Sequence, residues 1–191
     1  MLSIATKMLT LCAVALAASG VSAAIITFTH TGTASGTIGT TSFGPSSFVI
    51  TSVGNTTQRQ GGGGNFFIDH TSSQIAISGL GTFTLTSSTR TFVNQGAQLV
   101  GYSRGGAAGN DLFNGPVNAA FQTWDMLSGI GPIGGTASTL QWTLGAVTTN
   151  AGTLVLNNGT SDATFTATIP TPGASVAFAA MGLAATRRRR A

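Results

Sequence analysis

The sequence predicts an all-β protein: an antiparallel two-sheet sandwich, jelly-roll or Greek-key-like, with one short helix and an apolar helix at each end of the chain. Three observations predict it. Between Ala24 and Thr168, apolar residues recur at every second position in short runs, the period of a strand with one buried face. Threonine fills many of the alternate positions, where its β-branch suits the pleat and its hydroxyl meets water. Polar turn residues punctuate the runs at short intervals. A segment that stays unfolded is poor in aromatic and β-branched residues, whereas this one is rich in Phe, Ile, Val and Thr.

The first 23 residues form the first of three sections. Lys7 precedes an apolar run from Met8 to Ala18, and Ser19 and Gly20 break the run before Val21-Ser22-Ala23. That order is the order of a secretory signal peptide, with cleavage expected after Ala23. Signal peptidase is therefore an expected partner. Cys12 is the single cysteine and lies inside the run, so the mature chain is expected to lack thiol chemistry and disulfides.

The second section, residues 24–168, is expected to be the sandwich. Its strand runs are Ile26-Thr27-Phe28-Thr29-His30, Ser47-Phe48-Val49-Ile50-Thr51, Gln74-Ile75-Ala76-Ile77-Ser78 and Thr82-Phe83-Thr84-Leu85-Thr86. They continue with Thr91-Phe92-Val93, Leu99-Val100-Gly101-Tyr102, Leu140-Gln141-Trp142-Thr143-Leu144, Thr153-Leu154-Val155-Leu156 and Thr164-Phe165-Thr166-Ala167-Thr168. In the run around Trp142, alternation places Trp142 with Leu140 and Leu144 on the inward face. Asn157-Asn158-Gly159 reads as a hairpin turn joining the run at Leu154 to the run at Phe165. Gly61-Gly62-Gly63-Gly64 reads as a flexible loop, because no lysine or helix start follows to make it a phosphate cradle. Val117, Phe121 and Trp124 have helical spacing, and Pro116 suits a first turn, so the short helix is expected there. No repeat of fixed period is present, which sets a solenoid aside.

Charge excludes one class of function. Without Lys7 and the four terminal arginines, Arg59, Arg90 and Arg104 stand against Asp69, Asp111, Asp125 and Asp162, a net charge of −1. Nucleic-acid binding needs a stripe of cations, and this section has none. Catalysis needs tunable proton carriers or nucleophiles, and beyond the signal there are only two His and four Asp, with no Glu, Lys or Cys. We therefore expect no enzyme, no cofactor and no metal site. Asp69-His70 reads as a surface histidine beside a solvated aspartate, since strand neighbours face opposite ways. The best candidate ligand surface is Tyr102, Arg104, Asn110, Asp111, Trp124 and Asp125, an aromatic and polar set suited to stacking on a sugar.

The third section, residues 169–191, joins Pro170-Thr171-Pro172-Gly173 to a short apolar run and then to Arg187, Arg188, Arg189 and Arg190. From Ala174 to Thr186 a helix would be about 20 Å long, short of a ~30 Å hydrocarbon core. The arginines hold that end on the cytoplasmic side. This order of parts resembles the PEP-CTERM sorting signal of exported bacterial proteins, with Thr171 where the pattern usually has glutamate. The resemblance implies transient anchoring in the cytoplasmic membrane and cleavage by an exosortase-type enzyme near Pro170. It also implies delivery to the cell surface or an extracellular polymer. The function expected is that of a non-catalytic structural protein, with a glycan-binding module at residues 102–125 as the alternative.

Overall fold

The structure is a computed structural model, and it describes residues 24–106, 109–157 and 162–170. The signal section and residues 171–191, including Thr171, Pro172, Gly173 and Arg187 to Arg190, lie outside the described residues. What is described is all-β, two antiparallel sheets packed face to face.

The first sheet is built on one long hairpin, β1 (Ile25–Ile38) and β2 (Thr41–Asn55), paired along nearly their whole length. Gly39 turns the chain between them with φ of 57°, and its N–H donates to Thr153 O at 2.9 Å. On the far flank of β2 stand β5 (Ser72–Ile77) and β6 (Gly81–Thr84). On the flank of β1 stand β13 (Gly152–Asn157) and β14 (Ala163–Thr168), with β12 (Val147–Thr149) outside β13 and β10 (Ile130–Gly135) outside β14. The second sheet runs in the order β11 (Ser138–Thr139), β9 (Asp111–Val117), β8 (Leu99–Arg104), β7 (Thr89–Asn94), β4 (Asn65–Asp69), β3 (Gln60–Gly62).

The alternation read in the sequence is the alternation of burial. Along β1, Ile26, Phe28 and His30 are buried while Thr27, Thr29 and Thr31 are not. Along β7, Thr89, Thr91 and Val93 face inward while Arg90, Phe92 and Asn94 face out. The inward side chains meet in two apolar clusters, each drawing on both sheets. One cluster, at the end where β1 begins and β14 finishes, contains Ile26, Phe28, Ile68, Val93, Val100, Phe121, Trp124 and Phe165. The other, at the Gly39 end, contains Ile38, Ile50, Ile75, Tyr102, Leu112, Phe113, Trp142 and Leu154.

Four expectations are corrected. The helix expected from Pro116 is absent: Pro116 and Val117 finish β9, and Val117 is exposed. One 3-10 turn follows at Ala119–Gln122, because the Asn118 side chain accepts the Ala120 N–H and starts the turn only there. The strand expected through Trp142 stops at Thr139. Past it the chain turns, so Trp142 is 1% exposed while Leu144 is 68% exposed and Leu140 is also outside. β13 and β14 do not pair as a hairpin; both run antiparallel to β1, β13 against Ser35 to Ile38 and β14 against Thr27 to Thr31. The glycine run is a tight hairpin, with Gly61 and Gly62 in β3 and Gly63 and Gly64 at its turn. Both turn glycines have positive φ, as the primed two-residue turns require.

Candidate functional site

The surface expected from residues 102–125 does not assemble. Tyr102 is 0% exposed and points between the sheets, and Trp124 is buried against Phe121 and Phe165. Trp124 and Asp125 belong to the end where β1 begins; Arg104, Asn110 and Asp111 belong to the opposite end, beyond Tyr102 and Leu112. Asp125 is committed to Arg59 at 3.2 Å. The Arg104 guanidinium lies across Gly145, where a Cβ would come within 1.8 Å of it. Partial burial pushes the Asp111 carboxyl above its ordinary pKa, and the Asn114 amide, donating at 3.5 Å, works against that shift. The sequence reading failed here because β8 is covered on both faces, with Val100 to Ser103 all buried, and no count of polar neighbours reveals that.

What the sequence missed is a polar seam through the middle of the sandwich, between the two apolar clusters. His30 occupies a core position on β1, and its Nε2 lies 3.4 Å from Thr91 Oγ1 on the opposite sheet. His70, just after β4, places its own Nε2 2.9 Å from the same oxygen and its Nδ1 2.9 Å from Thr89 Oγ1. Thr91 has one proton and two lone pairs, so it can donate to at most one of the two imidazoles. The Tyr102 ring stacks on His70 and meets His30 edge-on, with centroids 5.4 and 5.8 Å away. Its hydroxyl continues the seam to Ser73 and from there to Ser52, each step 2.7 Å. His30 Nδ1 has no hydrogen-bond partner among the described residues.

Burial sets the charge state of this seam. It pushes both imidazoles down to about 3, and for His70 the neighbouring His30 and Arg90 add to the shift. It raises the Tyr102 phenol, against the opposing hydrogen bonds from Ser73 and its neighbours. All three groups are neutral near pH 7. The reading of His70 as a surface histidine is therefore corrected: both its ring nitrogens are engaged inside. Asp69 is not a freely solvated carboxylate either, since it contacts Arg90 at 2.9 Å and accepts from Gln60 at 3.1 Å. The seam reaches solvent beside a cleft of about 250 Å³, lined by His70 with Ser72, Ser73, Thr86, Ser87 and Thr89. Hydroxyls beside an imidazole suggest acyl transfer, but Asp69 is engaged by Arg90 and Gln60, and the two hydroxyls that His70 meets, Thr89 and Thr91, are themselves buried. Among the described residues, no three His, Cys, Asp or Glu side chains converge as metal ligands.

The two outer faces complete the picture. On the second sheet, Arg90 lies 4.2 Å over the Phe67 ring, and the Phe92 ring lies so close over Gly101 that a Cβ there would come within 2.3 Å of it. Arg59, Asp69, Arg90, Arg104, Asp111 and Asp125 all lie on that sheet or on the segments flanking it. On the first sheet, the outward residues fall into rows. One row runs Thr166, Thr29, Thr51, Gln74, Thr84 across five strands, each paired to the next. The next row runs Thr164, Thr31, Val49, Ala76, Thr82. Comparisons with family models, with curated proteins and with solved structures find no match.

Proposed function

We propose that this chain is an exported, non-catalytic β-sandwich that serves the cell surface or extracellular matrix after an exosortase-type enzyme processes its C-terminal end. The observation that carries the reading is where the sandwich stops. β14 finishes at Thr168, beside Thr27 at the start of β1, and Pro170 follows exposed. A cut at or after Pro170 therefore severs no strand and opens no core among the described residues. The engagement of His30, His70 and Asp69 in structural contacts favours a non-catalytic role. Signal peptidase, the sorting enzyme and, transiently, the cytoplasmic membrane are the partners in this reading. The jelly-roll or Greek-key reading of the sandwich rests on the return of β14 to the flank of β1, with β2 and β5 beyond.

Mass spectrometry of the released protein tests the proposal. Expected is a species that begins at Ala24 and lacks Arg187 to Arg190; a released species with the arginines intact overturns it. Neutral residues in place of the four arginines are expected to weaken membrane retention, because they remove the cytoplasmic stop. The glycan-binding alternative at residues 102–125 finds no support in the geometry, since its two aromatics are inside.

A further inference from the structure

The two faces of the sandwich differ in kind, and the difference selects a partner. We propose that the outer face of the first sheet, centred on the Thr166, Thr29, Thr51, Gln74, Thr84 row, is a docking surface for a neutral polysaccharide. This rests on the surface or matrix reading only for where such a polymer is met.

The rows of this face carry hydroxyls, methyls and one amide, with no aromatic and no charged side chain; Asp162, just before β14, stands at its margin. Burying an ion costs several kcal/mol unless it is paired, so a face without ions can be covered by a neutral partner at no such cost. A hydroxyl both donates and accepts, so each threonine of the first row can pair with a sugar hydroxyl in either polarity, while in the next row Thr31 and Thr164 are already paired to each other. Each Thr methyl, and those of Val49 and Ala76, gives apolar contact to the C–H side of a sugar ring. The register fixes these groups in a lattice, about 4.8 Å apart across strands and about 6.8 Å along them. A repeating polymer can satisfy many such points at once, which is how weak single contacts sum to retention.

Other partners are disfavoured by the same inventory. Protein interfaces draw their energy from Trp, Tyr and Arg anchors, and these rows have none. Nucleic acid and anionic lipid need cations. The second sheet is the internal control, because its two outward rings are already covered or laid flat by the protein's own Arg90 and Gly101.

The test uses the full chain purified in mild detergent, so that its outcome does not depend on export or processing. The probe is particles of an insoluble neutral glucan, cellulose, beside beads of the acidic polysaccharide alginate, at low and high salt. Expected is saturable binding to cellulose that salt leaves unchanged. Thr51→Lys and, on the exposed outer strand, Thr84→Lys are each expected to weaken it tenfold or more with unaltered melting. Asn65→Lys, on the outer face of the second sheet, is expected to leave it unchanged. Should Thr51→Lys fail to fold, Thr84→Lys decides. Lack of cellulose binding overturns the proposal, as does an equal loss in Asn65→Lys or binding confined to alginate and abolished by salt. A concentration-dependent dimer dispersed by Thr84→Lys, without cellulose binding, replaces the polymer with a second copy of the chain.

Discussion

Each half of the core is closed by an irregular segment that inserts a tryptophan, and the two insertions are not equivalent. At the end where β1 begins, Trp124 packs against Phe121 and Phe165, and its indole N–H donates to Ser128 O at 3.0 Å. Its segment is fixed on both sides, by the Asn118 cap and by the Arg59–Asp125 pair. At the other end, Trp142 is as deeply buried, but its indole N–H finds no acceptor among the described residues. Its flanking leucines face solvent. Equal burial thus conceals unequal satisfaction of polar groups, and an unsatisfied buried donor costs about 1–3 kcal/mol. Of the two indoles, that of Trp142 is the less well satisfied.

Predictions that bear on this contrast can be ordered by size. Trp124→Ala is expected to cost about 3–5 kcal/mol in denaturant unfolding, because it removes the largest member of an aromatic cluster with Phe121 and Phe165; a loss under about 1 kcal/mol would mean that this half of the core is loosely packed. Acid acts on the seam between the halves. The folded histidines have pKa values near 3 against 6.5 for free imidazole. The unfolded chain therefore binds the extra protons, and stability is full above about pH 6.5 and falls as pH drops toward 3. At pH 5 the loss is on the order of 2 kcal/mol per histidine. A His30→Gln, His70→Gln double variant is expected to flatten that slope; a wild-type stability constant from pH 7 to 5 would show that these imidazoles take up protons in the fold as readily as in the unfolded chain.

The tryptophan comparison itself is sharpened by Phe. Trp124→Phe loses a satisfied hydrogen bond and is expected to cost about 1–2 kcal/mol, whereas Trp142→Phe removes an unpaired donor and is expected to stay within about 1 kcal/mol of wild type. Reversal of that order in thermal melts breaks the contrast. A similarly small effect is expected of Asn118→Ala, about 1 kcal/mol, since it removes one cap from the Trp124 segment.

How much of this was legible in the sequence follows the same division. Strands with a period of two and one apolar face, such as Ile26 to His30 or Gln74 to Ser78, read directly, because burial and alternation are one fact seen twice. His30 fell in step with Ile26 and Phe28, yet its inward place carried no visible meaning until Thr91 was found opposite, 61 residues away in the chain. The Trp142 run alternated as well as any strand, but its backbone bonds to β9 end where the Gln141 N–H meets Asp111 O, at the first residue of that strand, and a pairing partner is what periodicity cannot supply. The threonines were legible one by one as outward residues; their alignment into rows is a property of register, fixed by bulges and turns across the sheet. The candidate ligand surface failed for a related reason, since nearness in sequence around residues 102–125 spans the full length of the sandwich in space.

The neighbouring positions of Thr27 and Thr168 have a mechanical consequence. A module whose first and last strands exit side by side hangs from its attachment as a pendant, and tension along a tether passes beside the fold instead of through it. Were both ends pulled apart, β1 and β14 would open like a zipper, one hydrogen bond at a time, at low force. Pulled by a single end, the same sandwich would bear almost no load across its strands, so the pairing of β1 with β14 would be spared.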